Sequence, residues 1–187
     1  MVRINRTWAS AFAQAGLPVR ELGPLAAFAP HELLGTAEWE DAAYFSALGG
    51  FLGVSPGEAR EAHRGILVGE YTGTFELVER LRARGLRVAA LTNTDPAHAE
   101  VVMAYPSVRE LDCVVASFAV GHRKPEEEIY RAFEEAVGCG PNEIVYFDDI
   151  KVNVDGAEAC GWRAFRVDPE GDQAHQVWDH LAKTGVV

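Results

Sequence analysis

The 187 residues are 48% hydrophobic and 24% charged, enough apolar material to bury a sizeable core as one domain or one domain with a small insertion. A formal net charge of −11, with no basic stretch longer than that at 80–87, argues against a nucleic-acid surface. No apolar run approaches the roughly 20 residues that cross a bilayer, and the start lacks the basic-then-apolar layout of a signal peptide, so a cytoplasmic protein with no membrane partner is expected.

In chain order, residues 8–15, 38–52 and 56–67 carry apolar side chains at helical spacing, separated by loops containing Gly16, Pro18, Gly23, Pro24 and Gly53. No segment before Gly73 reads as a strand, and 1–72 is expected to be a helical unit. Its aromatics Trp8, Trp39, Tyr44 and Phe45 suit a small core better than a substrate pocket, given the area each buries. His31 and His63 stand alone without ligand spacing, which favours surface or packing roles over metal binding. Apolar surface on this unit is compatible with a homodimer.

From Gly73 the pattern alternates. A helix over 75–84 stops at Gly85, and the run 86–91 follows as a buried strand. Further strands are expected at 113–116, 144–147 and 164–167, with helices near 97–104, 126–137, 152–159 and 174–181. The basic residues at 80–87 read as the exposed face of one helix. Continuous Val/Ile/Leu runs between helices predict an α/β fold with a doubly wound parallel sheet over 73–187. Cys113, Cys139 and Cys160 are odd in number and too far apart for a CxxC motif, so buried free thiols are expected.

Ligands of such sheets sit beyond the carboxyl ends of the strands. The first strand runs into Thr92, Asn93, Thr94 and Asp95, with Pro96 opening a helix that Asp95 or Thr94 caps. A hydroxyl, an amide and a helix start suit a phosphate, although an ordinary strand-to-helix turn has the same residues. After 144–147 come Asp148 and Asp149, then Asn153 one turn on. Adjacent carboxylates repel and call for a cation, magnesium by their hardness; Asp149 could instead merely cap the helix, which is compatible with Asp148 holding the metal. Between these two groups Lys124 stands before Pro125, placed to neutralise a phosphate and a neighbouring carboxylate. His98 is the one histidine near the phosphate-type turn.

Three sets of residues occur in order: Leu91, Thr92, Asn93 and Thr94 with His98; Gly121, Arg123, Lys124, Pro125, Ile129 and Tyr130; Phe147, Asp148, Asp149, Asn153, Ala157, Gly161 and Trp162. Together they resemble the haloacid-dehalogenase superfamily, in the phosphatase branch that includes glucose-1-phosphate phosphatases and the N-terminal domain of soluble epoxide hydrolase. The resemblance covers about 73–167, and the helical first half is similar to the small cap of that branch. It implies a HAD-like Rossmannoid core, Thr92 and Asn93 binding a phosphoryl group, catalytic Lys124 steadying nucleophile and phosphate, and Asp148 with Asp149 holding magnesium. It implies a magnesium-dependent phosphatase acting on a small phosphorylated metabolite through an aspartyl-phosphate, the paired aspartates favouring phosphatase over dehalogenase.

The first motif of that family, an aspartate nucleophile with a second acid two residues on, has no counterpart in these 187 residues, and Met1, Val2, Arg3 and Ile4 look like the chain leaving that strand. Removing one member of a covalent catalytic unit costs up to about 10⁶ in turnover, so the chain by itself is expected to be nearly inert. Its strand would lie between 86–91 and 144–147. An empty slot there is not expected, because unpaired buried backbone groups cost ~1–3 kcal/mol each. An upstream segment, a strand from a partner, or direct pairing of the two neighbours would fill it. The alternative function is a non-catalytic relative that binds a partner or a phosphorylated metabolite. A phosphoacceptor receiver domain shares these residue types but has its acidic pair first and its lysine last, the reverse of the order here.

Overall fold

A computed structural model describes residues 2–19, 25 and 40–187. The expected roles of His31 and Trp39, the start of the helix at 38, and the loop residues Gly23 and Pro24 fall outside the described residues. The chain opens with β1 (Val2–Ile4), antiparallel to β2 (Leu67–Glu70), with Val2 opposite Glu70 and Ile4 opposite Leu67. The expectation of a strand-free first half is therefore corrected. These strands have only three and four residues and include Arg3 and Glu70, too little for an alternating pattern to register.

Between these strands lie α1 (Trp8–Gln14), α2 (Asp41–Leu52) and α3 (Pro56–Arg64). Thr7 caps α1 by accepting the Ser10 N–H, and Ser55 with Glu58 forms a reciprocal capping box on α3. The run 56–67 thus divides into a helix and the first residue of β2. The three helices bury Trp8, Phe12, Tyr44, Phe45, Leu48 and Leu52 as one cluster, as expected of Trp8, Tyr44 and Phe45. Gly65 makes the closest approach: a Cβ there would lie 2.1 Å from the Ala11 carbonyl oxygen.

The remainder runs α4 (Thr74–Arg82), β3 (Ala89–Thr92), α5 (Pro96–Val102), α6 (Pro106–Arg109), β4 (Cys113–Ala116) and α7 (Ser117–Val120). It continues through α8 (Glu127–Val137), β5 (Val145–Asp148), α9 (Lys151–Ala159), β6 (Arg163–Arg166) and α10 (Gln173–Lys183). The short helices α6 and α7 were not legible in the sequence. β3 begins three residues later than the apolar run suggests. Val88 spends its backbone on Asp112, donating to the side chain and accepting the Asp112 N–H, before the ladder starts.

β3 pairs in parallel with β4, Thr92 beside Ala116, and β5 pairs in parallel with β6, Asp148 beside Arg166. Among the described residues β3 and β5 do not pair with each other, so the single sheet of the sequence reading is two parallel ladders, and direct closure of the two neighbours is not realised. The layering is nevertheless doubly wound. Leu91, Val115, Tyr146 and Ala164, from all four strands, share one cluster with Ile129 and Tyr130 of α8 and Val154 of α9. Val145 and Phe147, pointing the other way, join Leu77 and Leu81 of α4 and Val177 and Leu181 of α10. Arg80 and Arg84 are not merely solvated: both guanidinium groups stack on Trp178. The three cysteines are free, with Cys160 buried and the other two partly so. Among the described residues no helix is long and apolar enough to cross a membrane.

Candidate active site

The carboxyl ends of β3 and β5 are joined by side chains. Asn93, the first residue beyond β3, donates through Nδ2 to the Lys124 carbonyl at 2.9 Å and accepts the Lys124 N–H on Oδ1 at 2.8 Å. This reciprocal pair fixes the backbone of Lys124, whose peptide bond to Pro125 is cis. Pro125 precedes Glu126, the N-cap of α8, instead of occupying the first turn of that helix. The Lys124 ammonium then reaches across to the last residue of β5, donating to Asp148 Oδ2 at 2.7 Å and to the Tyr146 hydroxyl at 3.0 Å. Thr92 ends β3, one residue before Asn93, and is half-buried.

Asp148 is the most engaged carboxylate of the site. Oδ1 accepts the Ile150 N–H at 2.8 Å, Asn153 Nδ2 lies 3.2 and 3.1 Å from the two oxygens, and the Tyr146 hydroxyl donates to Oδ2. Burial pushes its pKa up, but the charge and hydrogen bond of Lys124, with help from Tyr146 and the Ile150 N–H, more than offset this and hold it below the ordinary carboxylate value. The same burial, together with the Asp148 charge, drives the Tyr146 phenol far upward, so it stays a donor. The expectation that Asp149 might only cap the helix is corrected: Ile150 is the N-cap of α9 and no side chain caps it. Asp149 is half-buried, and its backbone carbonyl accepts from Arg166 Nε at 3.0 Å.

Asp148 and Asp149 lie side by side at a strand end and offer the hard oxygen ligands that magnesium prefers. Both oxygens of Asp148 already accept protein donors, so an ion held there takes the place of one of them.

The structure adds residues that the sequence reading passed over. Ser117, directly after β4 and 1% exposed, accepts the Thr94 N–H at 3.0 Å and donates to the Thr94 carbonyl at 2.9 Å, locking the turn after β3. It follows a strand end, the position at which ligands gather, and so was findable. Asp95, not Thr94, caps α5 by accepting the His98 N–H at 2.9 Å. Its Oδ2 also meets His63, which is buried and so takes the packing role rather than the surface one of the two expected. That contact joins residues 32 apart in sequence and has no local signal.

The chain matches the family described as haloacid dehalogenase-like hydrolase over residues 3–161. It is 34% identical over 119 residues to Phosphatase MT3486 of Mycobacterium tuberculosis, covering 63% of this chain and 55% of that one. It is 25% identical over 126 residues to Enolase-phosphatase E1 of Citrobacter koseri, covering 62% and 55%. The chain spans about half the length of these curated relatives. Among solved structures, an enzyme of Bacteroides thetaiotaomicron in complex with magnesium superposes with a TM-score of 0.79 at 22% identity, covering 95% of this chain and 92% of that one. The wild-type form of that enzyme with magnesium and inorganic phosphate gives 0.75 at 21%, covering 94% and 93%. At these identities the likeness is one of fold.

Proposed function

Because this chain belongs to the haloacid dehalogenase-like hydrolases, we propose that its site serves a magnesium-dependent phosphatase for a small phosphorylated metabolite. The observation that carries the reading is the continuous bonded path from Asn93 through Lys124 to Asp148, which sets an amide, an ammonium and a carboxylate at the carboxyl ends of two parallel strands. Phosphoryl transfer is catalysed chiefly by positioning and by charge that meets the equatorial oxygens.

In this reading Thr92 and Asn93 donate to the phosphoryl oxygens, and Lys124 swings part of its charge from Asp148 toward them. Asp148 and Asp149 hold the ion, which neutralises the anion when bound. Tyr146 and Asn153 keep the Asp148 carboxylate ionised and oriented. The nucleophile is an aspartate on a strand seated beside β3 and β5. Its oxygen bonds to phosphorus as the P–O ester bond breaks and the leaving oxygen takes a proton from the second acid of that strand; water then cleaves the acyl phosphate, giving a proton back to that acid, returning the carboxylate and releasing inorganic phosphate. The phosphatases among the relatives support this chemistry.

The test compares the chain alone with a form carrying an N-terminal Asp-x-Asp strand, using a generic phosphomonoester in magnesium. The extended form should turn over and the chain alone should be nearly inert. Asp148→Asn in the extended form should remove most of the rate, and an unaffected rate would refute the metal-holding role. A second reading, a non-catalytic binder of a phosphorylated metabolite, draws on the full set of protein donors already on Asp148. Phosphate binding without turnover in the extended form would select it.

A further inference from the structure

Three side chains that link the helical unit to the turn after β3 take no part in the chemistry just described. His63, on α3, and Asp95 are 3% and 6% exposed, and His98 on α5 is mostly buried. Asp95 Oδ2 lies 3.0 Å from His63 Nε2 and 2.9 Å from His98 Nδ1, while His98 Nε2 lies 2.7 Å from the carbonyl oxygen of His63. The two imidazole rings stack with centroids 3.9 Å apart and planes 11° from parallel. Ala97, between Asp95 and His98, packs into the cluster of the helical unit, so the link has an apolar floor.

Two histidines and a carboxylate are also the residue types of a metal site, and their ligand atoms lie within 4.8 Å of one another. The stacking tells against an ion. A ring nitrogen's lone pair lies in the ring plane, and two nearly parallel rings with centroids 3.9 Å apart offer no point where one ion meets both nitrogens in their planes. Protons fit instead. A carboxylate and a carbonyl both only accept, so a doubly protonated His98 can serve both contacts, whereas a neutral ring can donate to only one of them. His63 donates to Asp95 through Nε2, and a neutral His63 ring lying on a cationic one is attracted, where two stacked cations would repel.

We infer that His63, Asp95 and His98 form a proton-held clasp through which α3 sets the position of the turn 92–95, making them positioning residues for the phosphoryl-binding end of β3. The clasp itself stands on geometry; its relevance to phosphate rests on the reading of that turn given above. With a single ring proton His98 can donate to Asp95 or to the His63 carbonyl but not to both, so the clasp is complete only while the ring carries two protons and opens on deprotonation. Among the described residues, other charged or titratable groups at this contact include Tyr44 of α2, whose phenol is driven upward by burial and by the Asp95 charge, and the ion pair of Arg64 on α3 with Glu100 on α5. Neither replaces the bonds of His98.

The test follows the His98 ring nitrogens and the backbone amides of Thr92, Asn93, Thr94 and Asp95 by NMR across pH, in the full chain. The turn amides should shift in step with loss of the His98 proton. His63→Gln and Asp95→Asn, the latter keeping the helix cap, should abolish that coupling and raise hydrogen exchange in the turn by about tenfold. Arg64→Ala, which removes only the neighbouring ion pair, should leave the coupling intact. Turn amides indifferent to His98, or stoichiometric zinc uptake that removes both ring N–H signals, overturn the clasp. Titration with inorganic phosphate in magnesium separates the two readings. If the coupling is present but phosphate binds neither the parent chain nor the variants, the phosphoryl reading fails and the clasp remains. Equal phosphate affinity in the parent chain and in His63→Gln overturns the positioning role.

Discussion

Asp95 shows how a single carboxylate is held ionised in a buried place. Burial raises its pKa, yet the hydrogen bonds and charges of His98 and His63 outweigh that and bring it down to about 2 from 3.8. A depressed carboxyl contributes stability that is whole above its unfolded value and disappears as pH falls through the folded one. The window is therefore pH 4 down to 2, and the contribution is on the order of 2 kcal/mol. Urea midpoints measured across that window should fall in the parent chain and flatten in Asp95→Asn. Asp148 shares the sign but has a different partner. With side chains only 10% and 6% exposed, Lys124 and Asp148 form a mostly buried pair, and Asp148→Asn leaves the ammonium uncompensated at a cost of about 3–5 kcal/mol. Adding Lys124→Met should recover much of that loss, and a chemical-denaturation double-mutant cycle measures the recovery. Thr92, Asn93, Lys124 and Asp148 were legible as site candidates because each stands at the end of an element. His63 was not, since its partner is reached only through the packing of α3 on α5.

At the scale of elements, the longer helices of the second half are read within a few residues because caps and glycines mark their ends, as Asp95 and Gly138 do for α5 and α8. Of the second-half strands, only the start of β3 departs by more than one residue. Leu86 and Val88 are apolar because they pack against the α4 and α10 face, not because they pair, so an apolar run overstated the length of β3 at its start. The α8–α9 contact carries its own prediction. Gly156 of α9 has the Tyr130 hydroxyl 2.9 Å and the Pro125 carbonyl oxygen 3.1 Å from where a Cβ would stand. Gly156→Ala must push α9 away from the segment that follows Lys124, and overpacking of this kind costs ~1–3 kcal/mol. Thermal unfolding should report that loss. In the extended form the rate should fall further than in a control such as Ser55→Ala, which loses a cap worth ~0.5–2 kcal/mol at the start of α3.

For the whole molecule, one of the two clusters that flank the strands draws residues from all four of them and the other from β5 and the segment leading into β3, so the layers are in place although, among the described residues, β3 and β5 are not paired. Among the described residues each of these two strands keeps a row of backbone N–H and C=O groups without a ladder partner, the condition under which sheet proteins recruit any extended chain at hand. At rising concentration the chain should self-associate through these rows. Light scattering should detect this, and a short β-forming peptide should suppress it. If such a peptide also brings an aspartate to the end nearest Lys124, one titration would raise colloidal stability and switch on ester cleavage at the same stoichiometry, making assembly of the sheet and onset of catalysis a single binding isotherm.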